Sequence, residues 1–586
     1  MPDLVEYGRG VECPRLLQPP RAAAYRRPSR RLMVYARDTA LTRHEGALGE
    51  VLLPPERLGD LEDHCFAGSL LQVRSQQPGL GARIARGRVV ADGTAEFAVQ
   101  MAYAVSMSLL QRFRDALGRM PDLTPWPGPA SALQEFSKLT LEVGLEEAAN
   151  AWYDADRVRI VLPHYAARYD SAQRVRAGNR MQTAHSHDII AHEMAHAVLD
   201  GLRPHFCVPS NIDVPAFHEG FADLVALFAR FAHEGALRTA IARAGGDVTD
   251  KLLIELAAQF GRTAVNRDGG LRTSLLDLAE VDDGRLSRYR YEDYREPHAR
   301  GAVLVSAVFA AYRRVFRRRT AHLACVGSNA PLAAPLVAAY AHEAARVAQH
   351  FFRIVTRAID YLPPADVTFG DYLRAMLSAD ADVVPEDPLG YREELIHAFC
   401  RYRIDIPDVA DLSESELLWR GPDRRAFELR SLRTMARKLP VIESFQHRKD
   451  GYGRLLQRRK DRAGYVREFL YDNRTRWNQL GLVPPGGEFA PAVIESVRGL
   501  RRRGYAPDSF EFVVEIAQAR RLGPDIELWG GCTLIVDEHG SIRLVIRKRV
   551  DNQARADRLV QFWRGEGRAY ARWAFRRGEM LRALDA

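Results

Sequence analysis

Cysteine is scarce in this sequence: its 586 residues include six cysteines, and no two of them form a Cys-x-x-Cys pair. Widely scattered cysteines argue against a disulfide framework and against a cysteine metal cluster. The first residues, MPDLVEYGRGVECPRLLQPPR, contain no continuous apolar stretch like that of a secretory signal. The longest uncharged run, residues 320–342, is interrupted by Pro331 and Pro335. We therefore expect a cytoplasmic protein without a membrane span.

The chain carries both signs of charge, but its excess of positive charge lies in the C-terminal part. The net charge is +9, and residues 446–586 carry 28 Lys and Arg against 18 Asp and Glu. A basic C-terminal domain indicates an acidic partner, such as nucleic acid or an anionic protein surface. The alternative is a solvated surface that keeps the protein soluble, since the basic residues are mixed with acidic ones.

The chain is long enough for roughly three or four domains of ordinary size. The residue patterns divide it into an irregular N-terminal arm (1–30), a strand-rich lobe (31–205), a helical lobe (206–410), a linker (411–445) and the basic domain (446–586). Within these parts we predict a long helix at Ala95–Leu117, a strand pair at Trp152–Leu162 and a hairpin around Glu538–Gly540. We expect a chain ending near residue 410 to fold by itself.

A possible metal site begins with His192-Glu193-Met194-Ala195-His196. Two histidines four residues apart share one face of a helix and can hold one ion, while Glu193 addresses a bound water. The same pattern also arises by accident in an amphipathic helix. A catalytic zinc needs a third protein ligand, and Glu219 supplies a candidate, with Asp223 one turn later to support a ligand histidine.

These motifs resemble the thermolysin-like (gluzincin) family of zinc metallopeptidases. The resemblance rests on HEMAHAVLD at His192–Asp200, EGFAD at Glu219–Asp223, Asn150-Ala151-Trp152, Leu271-Arg272, and an Asp-x-x-x-x-His pattern from Asp293 to His298. It implies an α+β fold with two lobes, the first rich in strands and the second helical. The basic α+β domain at the C-terminus is an addition to that family fold.

The resemblance also implies roles for individual residues. His192, His196 and Glu219 would bind one zinc ion per chain, and Glu193 would be the general base. Asp223 and Asp200 would support the zinc ligands, and Asn150 and Ala151 would begin the strand that binds substrate. Arg272 would hold the substrate carbonyl, and His298, oriented by Asp293, would stabilise the transition state.

Three positions depart from the family pattern. The family tyrosine that helps to bind the oxyanion has no counterpart, and His205 is either its substitute or a surface-loop histidine. His218 stands where the family commonly has Asn. Of two family calcium ligands, Asp188 is present but the other position is Arg230, so we expect no calcium there. We predict an Asp188–Arg230 ion pair instead; the alternative is that Arg230 points to solvent.

The sequence thus favours a zinc-dependent neutral endopeptidase that hydrolyses a peptide or protein substrate. Two other functions stay open: a catalytically inactive binding protein that keeps the zinc fold, and a nucleic-acid-binding protein. The latter would act through the basic domain, with Arg501–Arg503, Arg547–Arg549, Trp563 and Trp573 as contacts.

Overall fold

A computed structural model of the chain describes residues 30–36, 48–123, 138–168, 176–249, 286–324, 332–439 and 451–570, apart from short gaps at 55, 57, 63, 88–89, 232, 424, 503–508, 524–525 and 566. Helices and strands are mixed throughout, so the α+β class is confirmed. Among these residues, no helix combines the length and the apolar composition needed to cross a bilayer.

The N-terminal lobe contains two sheets and two helices. Strands β1 (Arg30–Tyr35) and β2 (Leu48–Leu53) form an antiparallel pair. The larger sheet contains β3 (Gly59–Glu62), β4 (Cys65–Ala67), β5 (Leu71–Ser75), β6 (Leu139–Glu147), β7 (Trp152–Asp154), β8 (Arg159–Ala166) and β9 (Arg180–Gln182), with β5, β6 and β8 parallel. Helix α1 (Leu80–Ala85) is short.

Helix α2 (Ala95–Leu117) has the bounds that its apolar periodicity predicted. It begins where the Thr94 side chain accepts a hydrogen bond from the Phe97 amide, and it ends at Gly118, whose φ of 72° suits glycine. Strands β7 and β8 pair in antiparallel fashion around a turn at 155–158, which confirms the predicted strand pair. Strand β7 lies at the edge of the sheet, directly after Asn150 and Ala151.

After β9 the described residues as far as 401 are mainly helical. Their α-helices are α3 (His187–Leu202), α4 (Asp213–Arg230), α5 (Glu234–Arg243), α6 (Pro297–Ala324), α7 (Ala334–Arg357), α8 (Phe369–Ala381) and α9 (Tyr391–Arg401). Arg272, to which the family resemblance assigns the substrate carbonyl, lies outside the described residues.

Helices α4 and α6 cross very closely at two glycines. A Cβ atom added to Gly301 would lie 2.9 Å from the Ala216 carbonyl oxygen and from the Gly220 amide nitrogen, so neither helix can carry a side chain there. The close crossing brings the start of α6, with His298, next to Glu219 on α4.

The C-terminal unit is a four-stranded antiparallel sheet with helices. Strands β10 (Val493–Arg502), β11 (Ser509–Arg521), β12 (Glu527–Asp537) and β13 (Ile542–Lys548) follow one another in space as in sequence, which confirms the hairpin around Glu538–Gly540. Its helices are α11 (Arg430–Lys438), α12 (Gly451–Asp472), α13 (Gln553–Arg564) and α14 (Gly567–Tyr570), preceded by α10 (Glu414–Leu417).

Both faces of this sheet are covered. Phe512 and Leu534 pack with Leu432 and Phe469, which lie on α11 and α12. Residues of the other face, namely Leu500, Val513, Ile535 and Ile546, join the hydrophobic core of the first two lobes. The segment expected to be a linker, 411–445, is therefore partly structured: Leu417 packs into the main core, and Leu432 packs into the C-terminal unit.

Buried ion pairs join the C-terminal unit to the other lobes. Arg203, the residue after α3, lies 2.8 Å from Glu515, and Arg498 lies 2.7 Å from the same carboxylate oxygen. Arg498 also contacts Asp122 at 3.0 Å. Further pairs across the junction are Arg502–Asp382, Arg543–Asp382, Lys548–Asp371 and Arg555–Asp366.

These contacts change two expectations. Several basic residues of residues 446–586 already have acidic partners within the same chain, so the charge excess is a weaker argument for an external partner. Removing the unit would also expose to water the part of the hydrophobic core that packs against Leu500, Val513, Ile535 and Ile546, and exposed apolar surface is destabilising. The expectation that a chain ending near residue 410 folds alone therefore loses its support.

Candidate metal centre

Three side chains meet where helices α3 and α4 face each other. The Nε2 atoms of His192 and His196 are 3.0 Å apart, as expected for ring nitrogens that face each other across one helical turn. The Glu219 carboxylate lies 3.4 Å from His192 Nε2 and 3.8 Å from His196 Nε2. Among the described residues, this group is the one cluster of His, Cys, Asp and Glu side chains arranged to hold a metal ion.

The distances between these atoms fit zinc. Zinc bound by histidine nitrogen or carboxylate oxygen at about 2.0–2.1 Å in tetrahedral geometry separates neighbouring ligand atoms by about 3.3 Å. The two Nε2 atoms are 3.0 Å apart, Glu219 Oε2 lies 3.4 Å from His192 and Glu219 Oε1 lies 3.8 Å from His196, so the distances lie on either side of that value, with a different carboxylate oxygen nearest to each histidine. Two imidazoles and one carboxylate also form a ligand set of catalytic zinc sites, which leave one position for water.

Asp223 supports the first histidine, as the sequence indicated. Its Oδ1 atom lies 2.9 Å from His192 Nδ1, so His192 donates from Nδ1 and keeps its Nε2 lone pair for a metal. Burial lowers the pKa of His192, but hydrogen bonds and charge interactions with Asp223 and Glu219 outweigh burial and raise it to about 10. The acidic groups around His192 therefore attract a proton or another cation to its ring.

His218 supports the second histidine. Its Nδ1 atom lies 3.2 Å from His196 Nδ1, and burial lowers the pKa of His218 to about 4, so the ring is neutral at pH 7. A neutral ring can accept the Nδ1 proton of His196, which leaves Nε2 of His196 for a metal. The His218 ring nitrogen thus accepts a hydrogen bond from His196, as the amide oxygen of an Asn at this position would.

Asp200 is fully buried beside the two helices. It accepts hydrogen bonds from the Tyr153 hydroxyl at 2.8 Å and from the Cys207 thiol at 3.0 Å. Tyr153 belongs to β7, so Asp200 ties the edge strand of the sheet to the end of α3. Its negative charge also acts on His218, where it partly offsets the effect of burial on the pKa.

The two glutamates of the site are almost completely buried. Glu193 is 8% exposed and Glu219 6%. Burial raises the pKa of Glu219, but the charge of His298 and the hydrogen bond from His192 outweigh burial and hold it well below its usual range. Glu219 is therefore ionised, as a zinc ligand must be.

His298 lies at the edge of the cluster, at the start of α6. Its Nε2 atom is 3.2 Å from Glu219 Oε2, and its Nδ1 atom is 3.0 Å from Glu296 Oε1. A carboxylate beside each ring nitrogen favours the doubly protonated imidazolium, which donates from both nitrogens.

Glu296, rather than Asp293, occupies the orienting position. The Asp293 carboxylate turns toward Arg290, at 3.7 Å, while Glu296 folds back over the start of α6 and accepts the Ala299 amide at 2.8 Å. The sequence contains a sign of this arrangement, since an acidic residue directly before Pro297 is well placed to cap a helix that begins at a proline. The Asp-x-x-x-x-His pattern pointed to Asp293 instead.

The C-terminal unit reaches this edge of the metal centre. The hydroxyl of Tyr570, the last residue of α14, donates a hydrogen bond to the Arg295 carbonyl, one residue before Glu296. His205, considered as a substitute for the family tyrosine, is also held by this unit: it lies 3.1 Å from Glu495 and stacks on Trp529 at 4.3 Å between ring centroids. These partners orient His205 toward β10 and β12.

The predicted ion pair between Asp188 and Arg230 is confirmed. Arg230 Nη1 lies 3.1 Å from Asp188 Oδ2, and both side chains are 4% exposed. Arg230 therefore does not point to solvent. The pair joins the first turn of α3 to the last turn of α4, so it fixes the two helices that carry the cluster.

No protein-family model matches this chain, and a search of curated proteins found no match either.

Proposed function

We propose that the chain is a zinc-dependent neutral endopeptidase with a thermolysin-like two-lobed core and an added C-terminal unit. The observation that carries the proposal is the convergence of His192, His196 and Glu219: the two Nε2 atoms are 3.0 Å apart and one oxygen of the carboxylate lies near each of them, a ligand set that suits one zinc ion. Glu219 is ionised, as a carboxylate must be to bind zinc, and the two Nδ1 supports direct the Nε2 atoms of both histidines toward a metal.

A zinc ion at this site would supply a Lewis acid that polarises a carbonyl group and lowers the pKa of water. Glu193 follows the first histidine on α3 and is rotated by about 100° from it, so its carboxylate can accept a proton from a water at the site. The same carboxylate can then return the proton to the amine that leaves when the peptide bond breaks. Asp200 and Asp223 keep the surrounding groups in place.

His298 is the donor that we propose for the negative charge that develops on the substrate oxygen. Its ring is held by Glu296 and lies within 3.2 Å of Glu219, so it is fixed before the reaction begins. A donor fixed in advance stabilises a developing oxyanion more than one that has to reorient. Arg272 remains a further candidate for holding the substrate carbonyl.

The substrate that we propose is an extended polypeptide. Strand β7 is an edge strand that directly follows Asn150 and Ala151, and its residue Tyr153 donates a hydrogen bond to Asp200 near the metal centre. An extended peptide can add to such an edge by main-chain hydrogen bonds. Cytoplasmic location is also part of the proposal, since Cys65, Cys207, Cys400 and Cys532 are free thiols.

Two measurements on four proteins test the proposal: zinc content, and cleavage of a library of proteome-derived peptides. Wild type should contain about one zinc per chain and cleave peptides. Glu193→Gln should keep the zinc and lose cleavage, whereas His196→Ala and Glu219→Ala should lose most of the zinc. If Glu193→Gln cleaves at the wild-type rate, Glu193 is not the base and the proposed mechanism is wrong.

The same experiment separates the alternatives. If the chain is a catalytically inactive binding protein, wild type and Glu193→Gln would both contain zinc, and neither would cleave a peptide. The buried Glu193 argues against that outcome, because a carboxylate with no catalytic use is costly to keep at 8% exposure. A nucleic-acid-binding protein would bind polyanions with a steep salt dependence, but the ion pairs within the chain use several of the basic residues on which that function would depend.

A further inference from the structure

A large cavity lies between the helical lobe and the C-terminal unit. Its volume is about 980 Å³, at the upper end of the range of roughly 300–1,000 Å³ for small-molecule sites. It is bounded by the first turns of α4 and α8 on one side and by β13 and the first turns of α13 on the other.

The cavity is separate from the metal centre. Asp213 and Arg300, which form an ion pair of 2.6 Å, line it. Asp213 precedes Glu219 by six positions on α4, and Arg300 follows His298 by two on α6. On an α-helix these steps turn a side chain by about 240° and 200°. The cavity therefore lies on a different side of both helices from Glu219 and His298.

The wall formed by β13 and α13 is strongly basic. Its cationic side chains are Arg547, Lys548, Arg549, Arg555 and Arg558. Lys548, Arg549 and Arg555 are neutralised by ion pairs with Asp371, Asp551 and Asp366. Arg547 and Arg558 are exposed, and within the described parts of the chain neither has a carboxylate at ion-pair distance. Two guanidinium groups thus remain to bind an anion.

The first turn of α13 adds to this positive potential. The helix has 12 residues, Asn552 caps it, and its first turn contains no acidic residue. Ala554, Arg555 and Arg558 line the cavity, so the positive end of the helix dipole faces the same space as the arginines.

The rest of the lining limits what can bind. Trp419 and Phe427 add apolar surface, and Arg374 stacks over the Trp419 ring at 3.8 Å. Asp408 and Asp423 also line the cavity and would repel a long polyanion. A nucleic acid therefore fits the cavity poorly, whereas a small molecule with one anionic group and an apolar or aromatic part fits this lining.

We propose that this cavity binds a small organic anion, with a phosphate or carboxylate group held by Arg547, Arg558 and the first turn of α13. Guanidinium groups bind both kinds of anion through paired hydrogen bonds, so the two share one recognition chemistry. The proposal goes beyond the peptidase activity and does not depend on it, because no residue of the metal centre takes part.

Calorimetric titration with pyrophosphate and with citrate, at constant ionic strength set by chloride, tests the site. The test protein is Arg547→Glu with Arg558→Glu, and the matched control is Arg467→Glu with Arg521→Glu. The control arginines are also exposed basic residues of the C-terminal unit, but they do not line the cavity. Circular dichroism and zinc content check that both variants fold.

Wild type and the control should bind at least one of the two anions, and the test variant should bind it roughly tenfold more weakly or worse, as expected for losing charge-assisted hydrogen bonds. The stronger of the two anions identifies phosphate or carboxylate as the preferred group. Equal losses in the test and control variants would overturn the proposal, and so would the absence of binding to wild type. A single-stranded oligonucleotide serves as a competitor. If it displaces the anion and binds the test variant as tightly as wild type, the anion binds on the outer surface, and the proposal is also overturned.

Discussion

Replacing Glu515 by Gln should destabilise the whole chain, because its carboxylate lies between two buried guanidinium groups. Glu515 Oε1 lies 2.8 Å from Arg203 and 2.7 Å from Arg498, and the three side chains are 2%, 1% and 4% exposed. Gln has nearly the same shape, so the substitution removes the charge without opening a cavity. Arginine does not lose its proton in proteins, so both guanidinium groups stay charged.

The size of the effect follows from the partners that remain. Removing one member of a buried ion pair costs about 3–5 kcal/mol. Arg498 keeps Asp122 at 3.0 Å, and Arg203 keeps the Ile359 carbonyl at 2.6 Å, so the lower end of that range applies. A loss of about 3 kcal/mol is a large part of the roughly 5–15 kcal/mol by which proteins are stable.

The matched control is Glu488→Gln in the same unit. Glu488 pairs with Arg520 at 2.9 Å, but its side chain is 44% exposed, so its removal should cost about 0–1 kcal/mol. Denaturation by urea, followed by tryptophan fluorescence and by zinc release, compares the two variants. Because Arg203 directly follows α3, zinc release should shift with the fluorescence in Glu515→Gln. Small and equal shifts in the two variants would refute the view that the junction is a desolvated part of the core.

Three further outcomes are expected. Glu296→Gln should lower kcat by roughly 10- to 100-fold with zinc content unchanged, whereas Asp293→Asn should change kcat less than twofold, because Glu296 holds His298. Steady-state kinetics with one peptide measures both effects, and equal losses would return the orientation of His298 to Asp293. His218→Ala should weaken zinc binding about 10- to 100-fold, and His218→Asn should keep most of the zinc affinity, since Asn also offers an acceptor. Competition with a chromophoric chelator measures both affinities, and an Asn variant that binds zinc as weakly as the Ala variant would contradict the role of His218 as the acceptor for His196. Asp188→Ala should lower the free energy of unfolding by about 3–5 kcal/mol, and adding Arg230→Met should recover much of that loss. Urea denaturation measures both variants. Calcium, added at constant zinc, should not stabilise wild type, and a clear rise in the urea midpoint of wild type would disprove the replacement of calcium by Arg230.

Local patterns predicted much of the metal centre. The four-residue spacing of His192 and His196 on a helix, with acidic residues one turn apart on a second helix, is enough to propose the ligands, and the structure brings them together. The Asp188–Arg230 pair was predicted in another way: the family resemblance implied calcium ligands at these two positions, and an arginine at one of them suggested an ion pair instead. The prediction of the metal ligands succeeds because helical geometry alone determines which face a side chain occupies.

Other features depend on information that no local pattern contains. Helix α4 begins at Asp213, six positions before Glu219: Pro215 falls in the first turn, where proline is tolerated, and the Asn211 side chain accepts a hydrogen bond from the Asp213 amide. Whether Glu296 or Asp293 reaches His298 depends on side-chain direction after a short turn. The docking of the C-terminal unit depends on pairs such as Arg203 and Glu515, which are far apart in sequence.

The paired junction has a consequence for the order of events during synthesis. Asp122, Arg203 and Asp382 emerge from the ribosome long before their partners Arg498, Glu515 and Arg543. At about 5–20 residues per second, the delay between Asp382 and Arg543 is on the order of ten seconds. During that time Arg203 and Asp382 lack their ion-pair partners from the C-terminal unit, and the loop before His298 lacks its contact with Tyr570. A nascent chain of this protein would therefore complete this junction only after most of its length has been translated. The proposed peptidase activity would then appear late in synthesis, which would protect the translating ribosome and its neighbouring chains.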